Sequence, residues 1–153
     1  MKLCLGILLL SFSTVIAYFL ASKYVDRKKF YTDFLNFNQL LKFEILFNKK
    51  TLIEIIEKQK NDSEFYTILY DNIFNKHFYL NLNYLNKDDE SFYISYVKNL
   101  GTSDIDTQID FINRTNEVVV DKFNQAVDQE KKYKTLYIKM GFLIGLMLMV
   151  IVL

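Results

Sequence analysis

Residues 105–140 read IDTQIDFINRTNEVVVDKFNQAVDQEKKYKTLYIKM. Positions 105, 109, 112, 116, 119, 123, 126, 130, 133, 137 and 140 step by four and three without a slip. They carry Ile, Ile, Ile, Asn, Val, Phe, Ala, Glu, Tyr, Tyr and Met. That spacing draws one apolar stripe along a helix. Only Asn116 and Glu130 interrupt it, and a polar residue on such a seam sets register. Neither Gly nor Pro occurs between 102 and 140, so nothing in the sequence ends the helix there. It runs on into the uncharged MGFLIGLMLMVIVL of residues 140–153, which predicts one helix of roughly 50 residues, stalk and membrane span together.

The opposite end of the chain has a matching run. Residues 3–22, LCLGILLLSFSTVIAYFLAS, carry no charge and span roughly 30 Å as a helix, the hydrocarbon thickness of a bilayer. The carboxy-terminal span is read as residues 135–153, with Lys139 snorkelling to the interface and Tyr133 and Tyr137 in the headgroup belt. The first run is read as a retained anchor. Although Val15 and Ala17 offer a small-residue cleavage pattern, the apolar run continues to Ala21, and Lys23, Arg27, Lys28 and Lys29 follow at once. Cys4 is an apolar filler. Ser13, Ala17 and Ala21 lie at four-residue intervals, as do Gly141 and Gly145, a spacing that lets helix backbones approach closely in lipid.

Between these ends the pattern is helical. Phe30, Phe34, Phe37, Leu41 and Ile45 recur at helical spacing, so the first span continues to about Phe47. Asn48-Lys49-Lys50 is a turn, and Thr51-Leu52-Ile53-Glu54 has the form of a capping box opening a short helix to about Lys60. Phe65, Ile68, Leu69, Ile73 and Phe74 mark a third helix. Residues 80–87, LNLNYLNK, are read as loop or helical turn, since no partner strand exists. Asp88-Asp89-Glu90 opens a fourth helix that ends at Leu100-Gly101, where glycine takes the left-handed cap. Ser103 and Asp106 form a second capping-box-like pair. The expected fold class is all-α: an antiparallel helical bundle (residues 23–134) flanked by an amino-terminal transmembrane helix (3–22) and a carboxy-terminal one (135–153).

Composition removes most enzyme classes from consideration. Four glycines, three of them (Gly6, Gly141, Gly145) inside the terminal apolar runs, leave only Gly101 elsewhere, too few for a phosphate-cradling loop. One His (His77) and one Cys (Cys4) cannot make a zinc site, a Cys-His dyad or a disulfide. Residues 103–110, SDIDTQID, lack the sixth-position glycine and twelfth-position glutamate of a calcium loop. Glu54 and Glu57 read as a solvated face, and His77 as surface or core packing. The expectation is a protein without catalytic residues, metal or cofactor. A formal net charge of +1 gives no reason to expect a nucleic-acid partner, and no small-molecule substrate is implied.

Charge also sets orientation. Lys23, Arg27, Lys28 and Lys29 flank the first span, and Lys131, Lys132, Lys134 and Lys139 the second, so the positive-inside rule places the middle of the chain in the cytoplasm. Residues 30–130 hold 17 acidic and 10 basic side chains, an acidic body above a basic collar.

The closing residues, Lys131-Lys132-Tyr133, Leu136-Tyr137, Met140-Gly141-Phe142-Leu143 and Gly145 with its aliphatic tail, resemble the ending of the stage III sporulation protein AB family. Leu100-Gly101-Thr102-Ser103-Asp104-Ile105-Asp106-Thr107-Gln108 is similar to that family's central leucine-glycine, aspartate, glutamine motif. Leu41 to Phe47 followed by Leu52 resembles its first-helix motif. The chain departs from the pattern at Thr51, where a proline is usual, at Tyr137, where a tryptophan is expected, and near Val97, where a glycine is missing.

The resemblance implies a helical domain similar to the cytoplasmic domains of the type II secretion inner-membrane platform protein. It further implies a place in the membrane complex linking mother cell and forespore during endospore formation. Other sporulation channel subunits and a secretion-type ATPase are the partners so implied, with the domain on the mother-cell side. On that basis Glu44, Gly101, Asp104 and Gln108 hold helix junctions or a partner surface, alongside the cap residue Ser103, the seam residues Asn116 and Glu130 and the packing glycines Gly141 and Gly145, which are read from the residues themselves. The alternatives are an adaptor of another secretion or pilus machine, or a membrane-anchored helical sensor, which predicts an exported domain and an output domain after the second span.

Overall fold

The computed structural model describes residues 2–48, 50–76 and 78–152, with side chains from Cys4 onward. His77, and Lys49 of the expected turn, lie outside the described residues. Six helices follow in order: α1 (Lys2–Phe43), α2 (Leu52–Gln59), α3 (Glu64–Phe74), α4 (Lys87–Asn99), α5 (Ile105–Gln129) and α6 (Thr135–Val152). A π-helical turn, Glu44–Asn48, prolongs α1, and a second, Glu130–Lys134, joins α5 to α6. No strand occurs among the described residues, and residues 80–86 are irregular, as expected. The fold is all-α.

The chain divides into two compact units: residues up to 28 with those from 125 onward, and residues 29–124. The basic residues Lys23, Arg27 and Lys28 therefore belong with the terminal helices.

The larger unit is built around an aromatic core. Phe30, Phe34, Phe37 and Leu41 project from one face of α1 and are buried, as their spacing predicts, whereas Ile45, the last of the expected stripe, is half-buried in the π-helical turn. Phe34 lies 4.7 Å from the Tyr96 ring and 5.4 Å from Phe65, and Phe30 lies 5.3 Å from Phe65 edge-on. Such offset and edge contacts add about 0.5–1.5 kcal/mol per pair to the burial itself. Ile55 and Ile56 of α2, Leu69 of α3, Tyr93 of α4, and Ile112 and Val119 of α5 close the core. One polar link runs through it: the Tyr96 hydroxyl donates to Asn38 Oδ1 at 2.6 Å, both residues buried. A hydroxyl taken out of water needs such a partner.

Local signals explain most boundaries. Thr51 accepts the Glu54 amide while the Glu54 carboxylate accepts the Thr51 amide, the reciprocal capping box that starts α2. Asn86 caps α4 by accepting the Asp89 amide at 2.7 Å. After α4, Gly101 adopts φ +72°, where a Cβ would meet the following carbonyl.

Two readings shift. Helix α5 is capped by Asp104, whose carboxylate accepts the Thr107 amide at 3.3 Å; the Ser103 hydroxyl instead contacts Gln108 Oε1 at 3.3 Å. The buried stripe of α5 keeps Ile112, Val119 and Ala126, but its other edge is Gln108 and Thr115, each one position before the expected Ile109 and Asn116. Ile105, the first stripe position, is exposed.

Candidate functional site

The terminal helices form an antiparallel pair. Gly6 of α1 lies beside Met149, Leu10 beside Gly145, and Ser13 and Ala17 beside Gly141, so one helix descends as the other rises. The contact is close. A Cβ on Gly141 would lie 2.2 Å from Ala17 Cβ, and one on Gly145 would lie 3.0 Å from Leu10 Cα. Ser13 Oγ donates across the pair to the Gly141 carbonyl at 2.8 Å, whereas Ser11, Thr14 and Ser22 donate to carbonyls of their own helix. Gly141, Gly145, Ala17 and Ala21 are buried by this pairing. The four-residue intervals of small residues are thus used within one chain.

The outer surface of the pair is apolar: Phe12, Phe19, Met147 and Val150 are all exposed. Both long helices, 4–48 and 105–152, are long and apolar enough to cross a membrane, with windows of mean hydropathy 2.2. At the base of the pair Tyr24 stacks on Tyr133 at 4.9 Å and lies 6.0 Å from Tyr137. Below that stack Arg27 donates to the Gln129 amide oxygen, and Lys28 Nζ donates to Glu130 Oε2 at 2.7 Å. Glu130 also meets Lys134 at 3.6 Å. The Lys28 hydrogen bond, opposed by partial burial, holds the Glu130 carboxyl below the usual glutamate range.

In the larger unit the motif residues gather where α1 and α4 end and α2 and α5 begin. Gln108 is buried, and its Oε1 accepts the Gly101 amide at 2.9 Å, so it closes the turn that the left-handed glycine opens. A Cβ on Gly101 would stand 3.3 Å from Leu52 Cδ2, which ties this junction to the start of α2. Asp104 caps α5; its Thr107 hydrogen bonds hold its carboxyl below the usual range. Glu44, in the first π-helical turn, accepts from Asn48 Nδ2 at 2.7 Å and Lys50 Nζ at 3.0 Å, and those bonds lower its carboxyl likewise. Glu44, Lys50, Glu54 and Lys58 line an open groove of about 420 Å³ with Leu40 and Ile55. Beside it Phe43, Leu46, Phe47 and Ile53 are exposed.

The structure thus brings Gly101, Ser103 and Gln108 together and sets Asp104 beside them, with Glu44 on the neighbouring groove. Asn116 lies half-buried on α5 in the larger unit, its Oδ1 without a partner among the described residues. Glu130 belongs to the helix pair. Among the pairings that went unread in the sequence are Asn38 with Tyr96, Arg27 with Gln129, Lys28 with Glu130, and Asp89 with Lys122. Lys122 carried a signal, since it continues the three-four spacing of Thr115 and Val119 and so points inward. Among the described residues no three of His, Cys, Asp and Glu converge closely enough to hold a metal ion.

The sequence pattern of the family described as stage III sporulation protein AB matches residues 58–153, more than half of the chain. The chain belongs to the stage III sporulation protein AB family. The matched segment contains Gly101 to Gln108, all of α5 and α6, and both glycines that pack on α1. Membership brings a role in stage III of sporulation. Glu44 and the first-helix motif precede the matched segment. Neither the comparison with curated proteins nor that with solved structures gives a match.

Proposed function

We propose that this member of the stage III sporulation protein AB family is a non-enzymatic membrane platform component of the complex between mother cell and forespore. In this reading the helix pair anchors the chain by two spans, and residues 29–124 face the mother-cell cytoplasm. The observation that supports it most is the antiparallel pair itself, a buried glycine-alanine seam with an apolar exterior in a member of a sporulation family. Orientation rests on the lysines and arginine clustered at the base of the pair. The acidic larger unit, with its polar groove and exposed Phe43–Phe47 ring pair, supplies the surface for other channel subunits and for a secretion-type ATPase.

Topology tests this directly. In a Cys4→Ser background, a single cysteine at the exposed Asn81 is treated with a membrane-impermeant maleimide. Protection in intact cells with labelling after lysis is the expected result. Labelling of intact cells would place the larger unit outside and end the ATPase reading. Loss of heat-resistant spores on deletion, restored by the cysteine-free chain, checks the sporulation role.

A further inference from the structure

We infer that the helix pair carries a binding site for one anionic phospholipid, with an acyl chain in a groove between α1 and α6 and the headgroup against Lys23. The groove has a volume of about 570 Å³ and is lined almost wholly by apolar groups, among them Leu9, Phe12, Ala17, Leu20, Met140 and Leu148. From Leu9 to Leu20 it follows roughly 16 Å of helix, about half of the bilayer's 30 Å hydrocarbon thickness. Its depth is therefore that of one leaflet.

One end of this groove is marked by charge. Tyr137 lines it, and Lys23 Nζ lies 6.0 Å from the Tyr137 ring centroid and 5.0 Å from that of Tyr24. Lys23 is exposed, and among the described residues no carboxylate lies within salt-bridge distance of it. A cation held on two aromatic faces at the mouth of an apolar, leaflet-deep groove matches a phosphate joined to an acyl chain. The Ser13 hydroxyl, which lines the groove, is already spent on the Gly141 carbonyl and so does not oppose a hydrocarbon there. This inference rests on the membrane reading proposed above.

The chain contains no tryptophan, so an introduced one is a unique reporter. The full chain carrying Met140→Trp is placed in phosphatidylcholine vesicles with brominated phosphatidylglycerol or brominated phosphatidylcholine at equal mole fraction. Quenching is expected to give a relative binding constant of about fivefold for the anionic lipid, the factor one lysine contributes near an anionic surface. Lys23→Gln brings the ratio close to one, and Lys23→Arg keeps it. A reporter at Phe19, exposed but outside the groove, gives a ratio near one in either background. Equal quenching at Met140→Trp by both lipids would overturn the site. So would protection from both, because a second copy or another helix would then cover the groove. Flotation with the vesicles separates the two readings: a chain that does not float overturns the membrane anchoring itself, whereas one that floats without lipid preference overturns only this site.

Discussion

Lys122 Nζ of α5 lies 2.7 Å from Asp89 Oδ1 in the first turn of α4, and the Asp89 side chain is only 1% exposed. The pair joins the opening of one helix to the middle of another through a carboxylate that water scarcely reaches. Taking away Lys122 deprives a buried carboxylate of its cation, whereas taking away both charges does not. Lys122→Met is therefore expected to lower the unfolding free energy by about 3 kcal/mol, and Asp89→Asn with Lys122→Met to recover most of the loss. A double-mutant cycle on denaturant midpoints checks it; additive losses would count against the pairing.

At the α4–α5 junction, Gln108→Leu removes the acceptor of the Gly101 amide and is expected to cost about 1–3 kcal/mol. Gly101→Ala forces a Cβ into left-handed backbone and is expected to cost about 1–2 kcal/mol. Because both act on one turn, the double variant should lose less than the sum of the two. Thermal unfolding of the three variants decides this.

For the helix pair, Gly141→Ile must push α1 and α6 apart, since even its Cβ would fall on Ala17. Cysteines replacing Tyr24 and Tyr133 in a Cys4→Ser background report the spacing, because the rings they replace are stacked. A short bismaleimide should join them efficiently in the parent and several-fold less in Gly141→Ile. The same change at Leu143, which is exposed, should leave the yield intact.

The Lys28–Glu130 contact also predicts a pH dependence. The folded state holds the Glu130 carboxyl below its ordinary value of 4.5, so the contribution is fully present above that value and is lost as pH falls through the lowered one. Stability should be flat from pH 8 to pH 5 on this account and decline under acid. Glu44 and Asp104 shift in the same direction, so the measurement is the difference between the parent and Glu130→Gln. That difference should vanish at low pH.

Much of this fold could be read from residues alone, and the parts that could not share a cause. The α1 stripe and the Thr51 box depend on residues near in sequence, and they stand where spacing put them. The inward edge of α5 was misjudged because Ile109 is more apolar than Gln108. Yet Gln108 faces inward, since the Gly101 amide needs an acceptor, and such a demand comes from another helix. Asn38 stands four after Phe34 and three before Leu41, so spacing points it inward, yet only the fold supplies Tyr96 as the donor its oxygen accepts from. The two π-helical turns follow no glycine or proline, so no breaker announces them; Glu44 is held by the nearby Lys50, but Glu130 by Lys28, 102 positions away. At the candidate site, Gly101 and the two packing glycines were legible because glycine's use is geometric. The groove beside Tyr137 was not, because it arises from two helices more than a hundred positions apart.

The bond between Ser13 and the Gly141 carbonyl separates its ends by 128 residues. At a synthesis rate of about 5–20 residues per second, α1 waits roughly 6–26 s after emerging before its partner exists. For that interval the Gly6–Ala17–Ala21 face lacks the helix that buries it. In the membrane reading proposed above, the first helix is therefore a lone span, its small-residue face unmatched, until the last residues of the chain are made.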